Sequence, residues 1–223
     1  IENRFASFAT LWEPRDTIGG DLWWVSSSQR SGPFILAIAD CTGHGVPGAM
    51  LSLLVSNSLE RIYAHSTEED PATALISLDH FVRTGLNQDR TESESDDGCD
   101  AVVLRIDREK QSIEFAGAKI GLFQLTAQGQ VIRHSVARCS LGYVEAIAEA
   151  DKPQVATISY AEGDLFVIVT DGFTDQIGGP GEKKIAYGYR RLELLLQKNK
   201  DSDAQAMTEC MQEDFKQWQG KEV

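Results

Sequence analysis

The feature that most constrains the fold is an apolar strand pattern that ends in an aspartate and a glycine-rich break. Residues 34–39 are all apolar, as expected of a strand buried on both faces, and Asp40 follows directly. Glycine recurs over residues 43–48, and apolar residues repeat at helical spacing through residues 47–65. This pattern predicts a central strand, an acidic residue at its end, and a helix that starts soon afterwards.

Three aspartates share this setting. Asp21, Asp40 and Asp171 each flank a strand-like run and each has glycine nearby. An aspartate near glycine is most often a turn residue that caps the local backbone, and that interpretation stays open for each one taken alone. Strand ends hold side chains in defined directions, so three such carboxylates can meet at one edge. A group of this kind suits a pair of hard divalent cations, which favours metal-assisted chemistry on a phosphate.

The remaining pattern mixes short strands with two groups of helices. Asp70 is a suitable N-cap for a helix that begins at Pro71. Turn-like breaks at residues 107–111 and 127–130 predict hairpins, and another strand pair is predicted around residues 162–164. This order favours the α+β class, with helices packed on antiparallel sheets, over a doubly wound parallel fold. The predicted strands are 5–12, 22–27, 34–39, 101–106, 112–116, 121–125, 131–135, 154–160 and 165–170, and the later helices are 189–197 and 203–218.

Composition excludes several classes of protein. No apolar run reaches the roughly 18 residues that a membrane span requires. The formal charge of −13 would repel a nucleic-acid backbone, so we expect no nucleic-acid partner and no direct membrane contact. The four cysteines lie far apart without C-x-x-C spacing, which argues against a zinc ribbon and predicts free thiols. These features predict a cytoplasmic domain, or the cytoplasmic part of a membrane-anchored sensor protein.

The block D-C-T-G-H-G-V-P-G-A-M at residues 40–50 resembles a known signature. It is similar to the D-x-[ST]-G-H-G-x-x-[AG]-A-M motif of the SpoIIE-like branch of the metal-dependent (type 2C) protein serine/threonine phosphatases. Further segments match in the same order along nearly the whole chain: 19–21, 97–100, 115–118, 141–142 and 170–176.

The resemblance implies a fold and a metal centre. The fold is a four-layer αββα sandwich of two antiparallel sheets flanked by helical pairs, with two Mn²⁺ or Mg²⁺ ions bound at one end. By motif, Asp40 bridges both ions and the backbone carbonyl of Cys41 adds a ligand. Asp21 and Asp171 each hold one ion. These are oxygen donors, which Mn²⁺ and Mg²⁺ prefer.

Three residues near the implied centre keep alternative interpretations. His44 is either the general acid for the leaving group or a residue that orients its loop by hydrogen bonding. Asp97 and Asp100 are candidates for a third, weaker metal site, with Asp100 the better ligand candidate. The alternative is that Glu92, Glu94, Asp96 and Asp97 form a solvated acidic loop. The Cys41 thiol has no basic neighbour in sequence to activate it, so its backbone is the expected ligand.

The implied function is hydrolysis of a phosphoserine or phosphothreonine monoester by a metal-activated water. In this family the substrate is a bacterial regulatory protein similar to an anti-sigma-factor antagonist of the STAS type, and an N-terminal sensor domain controls the enzyme. A homodimer is left open. The alternative is a non-catalytic phosphoprotein-binding or scaffold module that retains the fold. A nucleotide site is disfavoured because the glycine-rich stretch at residues 178–184 lacks phosphate-loop spacing.

The whole chain, residues 1–223, is expected to form a single phosphatase domain, the C-terminal effector part of a longer protein. The family pattern ends in a strand preceded by an Asp-Asp pair whose first member completes the metal site. Residues 220–223 do not match that pattern. The final strand is therefore expected to be missing from this sequence.

Overall fold

A computed structural model describes residues 5–14, 16–26, 32–64, 67–90, 93, 95–181 and 183–220. The chain separates into two compact units. The larger unit comprises Pro14–Gly121 and Ser135–Tyr160, and the smaller unit comprises Ile1–Glu13, Leu122–His134 and Ala161–Val223. No helix within the described ranges is long and apolar enough to cross a membrane.

The strands and helices are short except for the first two helices and the last. In chain order the strands are β1 (Leu22–Val25), β2 (Phe34–Cys41), β3 (Cys99–Asp107), β4 (Ser112–Ala118), β5 (Leu122–Leu125), β6 (Val131–His134), β7 (Ala156–Ser159), β8 (Leu165–Val167), β9 (Ile177–Gly178) and β10 (Ile185–Ala186). The helices are α1 (Gly45–Ile62), α2 (Pro71–Gly85), α3 (Asp171–Thr174), α4 (Tyr189–Lys198) and α5 (Ala204–Gln219).

The larger unit is an antiparallel sheet with α1 and α2 packed on one face. Its strand order is β1-β2-β3-β4-β7, and every neighbouring pair is antiparallel. Alternate residues of β2 and β3 point into the core beneath the helices, because side chains of a strand alternate between its two faces. The core residues on these four elements are Ile35, Ala37, Ala39 and Cys41 from β2, Cys99, Ala101 and Val103 from β3, Leu51, Val55 and Leu59 from α1, and Leu75, Leu78 and Val82 from α2.

The smaller unit contains the other sheet and the remaining helices. Its three strands follow the order β6-β5-β8, and β9 pairs with β10 as a separate ribbon. Helices α4 and α5 supply the apolar stripe that packs with β5. The buried residues of this core are Phe123, Leu125, Tyr187, Leu192, Leu195, Leu196, Met207, Met211 and Trp218. The α+β class, the antiparallel sheets and the helical pairs are thus as predicted.

One predicted strand pairing is wrong. The turn at residues 162–164 exists, with Gly163 at a φ of 91° and the Asp164 carboxylate accepting from the Ala161 amide at 3.1 Å. The strands on its two sides nevertheless enter different sheets, since β7 pairs with β4 and β8 pairs with β5. A local turn signal shows where the chain reverses, but the partner of each strand is chosen by long-range packing.

The predicted strand at residues 5–12 is also wrong within the described part of the chain. These residues are irregular, and Phe5 and Phe8 stack on each other with ring centroids 6.0 Å apart. The Ser7 hydroxyl accepts a hydrogen bond from the Ala204 amide at 3.0 Å, at the start of α5. The aromatic residues on which the strand prediction rests therefore pack against each other in an irregular segment.

The start of α2 follows the predicted capping chemistry and gives a stability test. The Asp70 carboxylate accepts from the amides of Ala72 and Thr73, both at 3.0 Å. We expect Asp70→Ala to lower the free energy of unfolding by about 1 kcal/mol at neutral pH. Urea unfolding measures this change, with the exposed Asp89→Ala as the control.

The capping contribution of Asp70 should disappear in acid. Burial alone would raise the pKa of Asp70, but hydrogen bonds from Thr73 and Ala72 outweigh it and lower the pKa. A group with a lowered pKa in the folded state stabilises the protein at pH values above its unfolded-state pKa of about 3.9. This stabilisation is lost as the pH falls through the folded-state pKa. The difference in free energy of unfolding between wild type and Asp70→Ala should therefore become smaller in acid. A difference that stays constant with pH would contradict this assignment.

Candidate metal centre

Three aspartates form a row across neighbouring strands of the larger unit. Asp40 lies directly opposite Asp100 in the β2–β3 register. Leu22 lies opposite Ala39 in the β1–β2 register, and continuing that register by one residue places Asp21 opposite Asp40. Residues directly opposite each other on antiparallel strands have Cβ atoms about 5 Å apart and lie on one face of the sheet. Asp21, Asp40 and Asp100 therefore share one face and one end of the sheet.

This acidic row lies on the face away from α1 and α2. Both neighbours of Asp40 in β2, Ala39 and Cys41, belong to the core under those helices. The same holds for Asp100, whose neighbours Cys99 and Ala101 are core residues. Like charges placed directly opposite on neighbouring strands repel each other, so a cation bound between them would be favoured.

Glycine brings two chain segments into backbone contact beside the row. A Cβ added to Gly20 would lie 2.5 Å from the Cys41 carbonyl oxygen and 3.1 Å from the Gly43 carbonyl oxygen. A Cβ added to Gly48 would lie 2.6 Å from the same Gly43 oxygen. A side chain at Gly20 or Gly48 would collide with these carbonyl oxygens, so glycine is required for the close backbone approach.

Asp100 is held by neighbours at the other end of the row. The Ser140 hydroxyl donates to its carboxylate at 2.6 Å, and the Lys119 ammonium lies 3.6 Å away. Burial raises the pKa of Tyr143 to about 12, and the negative charge of Asp100 adds to this rise.

His44 is paired with a residue that sequence reasoning did not single out. Its Nδ1 lies 2.6 Å from a carboxylate oxygen of Asp16, and both side chains are substantially exposed. His44 is also the N-cap residue of α1, where its side chain makes no capping hydrogen bond. The contact ties the loop after Asp40 to the segment before Asp21. It also leaves the imidazole open to solvent, so both interpretations of His44 remain available.

Both the side chain and the backbone of Asp97 are hydrogen-bonded to neighbouring residues. Its carboxylate accepts from the Thr42 hydroxyl at 3.2 Å, and its backbone N–H and C=O are both hydrogen-bonded to the side chain of Gln88. Gln88 and Asp79 are buried polar residues that sequence reasoning missed. Neither lies in a recognisable motif: Asp79 lies in the buried stripe of α2 and Gln88 follows that helix, so the local sequence marks neither residue.

Asp171 belongs to the smaller unit. It is exposed and begins the helical turn α3, whereas the preceding strand β8 ends at Val167. Its backbone carbonyl accepts from the Asp175 amide at 2.7 Å. The expectation that Asp171 directly follows a strand is therefore wrong by a few residues, because the chain turns before reaching it. Its role as a metal ligand stays a prediction.

Cys41 and Cys99 face each other one position from the two central aspartates. They are opposite in the β2–β3 register, and both are buried free thiols. A hydrogen bond with Cys41, together with burial, raises the pKa of the Cys99 thiol well above its usual value. Since the thiolate is the reactive form, Cys99 is suited to packing and not to nucleophilic chemistry.

The donor set fits hard divalent cations in its chemistry. The row supplies carboxylate oxygens, and Cys41 supplies a backbone oxygen; Mn²⁺ and Mg²⁺ prefer such ligands. Within the described ranges, no three His, Cys, Asp or Glu side chains are gathered tightly enough to hold a metal as they stand. Carboxylates repel one another, so drawing them together depends on the cation itself.

Comparison with solved structures defines the class of protein. The fold is that of the PP2C-type phosphatase domain: the SiaA PP2C domain of Pseudomonas aeruginosa matches with a TM-score of 0.80 and 29% sequence identity. The match covers 95% of this chain and 79% of that chain. The family Stage II sporulation protein E (SpoIIE) matches residues 30–223. The chain therefore belongs to the SpoIIE family, and it is a protein serine/threonine phosphatase domain.

More distant structures agree in fold alone. The PP2C domain of SpoIIE from Bacillus subtilis, solved with a fragment of its regulatory domain, matches with a TM-score of 0.66 and 19% identity over 90% of this chain and 52% of that chain. RsbX in complex with magnesium matches with a TM-score of 0.56 and 18% identity over 92% and 83%. No curated protein matched the chain. The family resemblance noted in the sequence is confirmed.

Proposed function

We propose that this domain is a metal-dependent phosphatase that hydrolyses a phosphoserine or phosphothreonine monoester on a bacterial regulatory protein. The observation that carries the proposal is the row of Asp21, Asp40 and Asp100 across three adjacent strands. Carboxylate oxygens grouped in this way suit hard divalent cations. A non-catalytic scaffold would not require this grouping.

The proposed ligands follow from position and motif. Asp40, which is central in the row, would serve both ions, Asp21 would hold one, and the Cys41 carbonyl would add an oxygen. Asp171 would hold the other ion, an assignment that rests on its sequence motif alone. Asp100 is proposed as a ligand of a third, weaker ion, with Asp97 next to it. Two bound Mn²⁺ or Mg²⁺ ions would activate a water and neutralise the phosphoryl oxygens during in-line attack.

The protein's own groups shape and orient the site. The backbone contact between Gly20 and Cys41 holds the carbonyl in place without side-chain bulk. The His44–Asp16 contact ties the loop that follows Asp40. In this arrangement the first role of His44 is to orient that loop. Proton donation to the leaving group is a second role that the exposed imidazole permits.

The proposed substrate is a phosphorylated regulatory protein of the STAS type. Regulation by an N-terminal sensor domain is proposed by analogy with the Bacillus subtilis SpoIIE structure, which includes a fragment of a regulatory domain. The overall charge of −13 disfavours nucleic acid as a partner. The proposed setting is the cytoplasm, with this domain as the effector part of a partner-switching signalling system.

Metal removal tests the proposed function. Hydrolysis of p-nitrophenyl phosphate and of a phosphoserine STAS protein should be lost after EDTA treatment and restored by Mn²⁺ or Mg²⁺. Phosphate release and the loss of phosphoserine by mass spectrometry measure the two reactions. Tight binding of the phosphorylated STAS protein without turnover, at any metal concentration, would favour the scaffold alternative instead.

A further inference from the structure

Gln88 is a buried amide just beyond the C-terminal end of α2, and only 1% of it is exposed. Its Nε2 donates to the backbone carbonyls of Asp97, at 2.7 Å, and of Gly142. Its Oε1 accepts from the Asp97 amide at 2.7 Å and from the Ser95 hydroxyl at 3.0 Å. A primary amide has two N–H donors and two acceptor lone pairs, so this side chain is fully satisfied. Burying an amide is costly unless its hydrogen bonds are made, so the arrangement is specific.

Gln88 binds the backbone of Asp97, and the next residue, Gly98, forms hydrogen bonds between the segments that extend β2 and β3. The Thr42 amide donates to the Gly98 carbonyl at 2.9 Å, and the Gly98 amide donates to the Thr42 hydroxyl oxygen at 2.9 Å. Thr42 comes two residues after Asp40, and Gly98 comes two residues before Asp100. These bonds continue the β2–β3 ladder beyond the position where Asp40 faces Asp100.

The first residue of β3, Cys99, is also hydrogen-bonded to a segment other than β2. The Cys99 amide donates to the Leu141 carbonyl at 2.9 Å, and the Leu141 amide donates to the Cys99 carbonyl at 2.8 Å. Gly142 is fixed by two buried side chains, because its amide donates to the Asp79 carboxylate at 2.8 Å and its carbonyl accepts from Gln88. Gln88 thus ties the segment that leads into β3 to the turn that flanks it.

We propose that Gln88 is a positioning residue for the metal centre, which fixes the start of β3 so that Asp100 stays aligned with Asp40. It acts through the backbone at Asp97 and Gly142. The inference rests on the proposed function, because it assumes that the acidic row binds cations. The consequence is that Gln88 sets the affinity of the row for divalent cations.

The test compares Mn²⁺ binding by calorimetry in folded wild type and Gln88→Met, with thermal unfolding of the same samples. Methionine has similar length and is apolar, so it removes all four hydrogen bonds with little change in volume. We expect the Kd for Mn²⁺ to rise at least tenfold. The exposed Gln128→Met is the matched control and should bind Mn²⁺ as the wild type does.

A second variant keeps the test decisive if Gln88→Met does not fold. Thr42→Val is close to isosteric and removes only the hydroxyl that joins Thr42 to Asp97 and Gly98. It should raise the Kd for Mn²⁺ in the same direction by roughly threefold, which is about half the free energy of a tenfold step. A merely structural role would lower the melting temperature or the number of binding sites and leave the Kd unchanged, which would overturn the proposal.

The failure of this proposal is distinguishable from failure of the metal centre. If wild type binds Mn²⁺ and folded Gln88→Met binds it equally well, the positioning role is wrong and the metal centre stands. If wild type binds no Mn²⁺ at all, both are wrong. In either case the calorimetric readout is independent of phosphatase activity.

Discussion

Asp40→Asn should abolish the Mn²⁺-dependent hydrolysis of an aryl phosphate, with a fall in kcat/KM of at least about 1,000-fold. Asp40 is the central member of the acidic row, between Asp21, which directly precedes β1, and Asp100 on β3. Asparagine keeps the shape but removes the charge that draws two cations together. A loss of this size corresponds to about 4 kcal/mol of transition-state stabilisation, which is within what bound metal ions supply. Initial rates over a range of Mn²⁺ concentrations measure the effect.

The same substitution should abolish the stabilisation of the protein by Mn²⁺. Asp40 lies directly opposite Asp100 at the centre of the row, so removing its charge weakens cation binding there. We expect the increase in melting temperature on adding Mn²⁺ to be lost in Asp40→Asn. Asp151→Asn, which changes an exposed aspartate outside the row, is the charge-matched control. Equal activity in wild type and Asp40→Asn would contradict the proposal that the acidic row binds the catalytic cations.

Elements whose signals are local could be predicted from the sequence. The start of α2 is an example, because Asp70 and the proline after it carry the capping chemistry within a few residues. The strand β2 is another, because its continuous apolar run needs no knowledge of its partners. The block at residues 40–50 likewise carried the family assignment, which the match to residues 30–223 confirms.

Features that depend on distant partners could not be predicted in this way. The strands β7 and β8 flank one turn yet pair with β4 and β5, so their partners are decided by packing far along the chain. Asp100 was recognised as a ligand candidate, but its position opposite Asp40 follows only from the strand register. The role of Gln88 could not be predicted from the sequence, because it depends on hydrogen bonds to Asp97 and Gly142, which are 9 and 54 positions away.

Gly20→Ala should both destabilise the domain and weaken Mn²⁺ binding. The added Cβ would lie 2.5 Å from the Cys41 carbonyl oxygen, closer than real Cβ contacts allow, so the backbone must move. Forcing extra bulk into a packed site costs about 1–3 kcal/mol. The displaced group is the proposed carbonyl ligand itself, which lies one residue from Asp40. We therefore expect a lower denaturant midpoint together with a raised Kd for Mn²⁺, measured by urea unfolding and calorimetry.

Gly172→Ala separates this clash from the general effect of losing a glycine. A Cβ added at Gly172 would meet no atom within 4 Å, and the residue lies in the helical turn α3. Alanine is favoured over glycine in a helix by about 0.5–1 kcal/mol, so this variant should be at least as stable as wild type. If Gly20→Ala unfolds at the wild-type midpoint and binds Mn²⁺ normally, the close backbone contact is not a requirement of the site. If it loses both properties while Gly172→Ala keeps its stability, the approach of Gly20 to the Cys41 carbonyl is what excludes a side chain there.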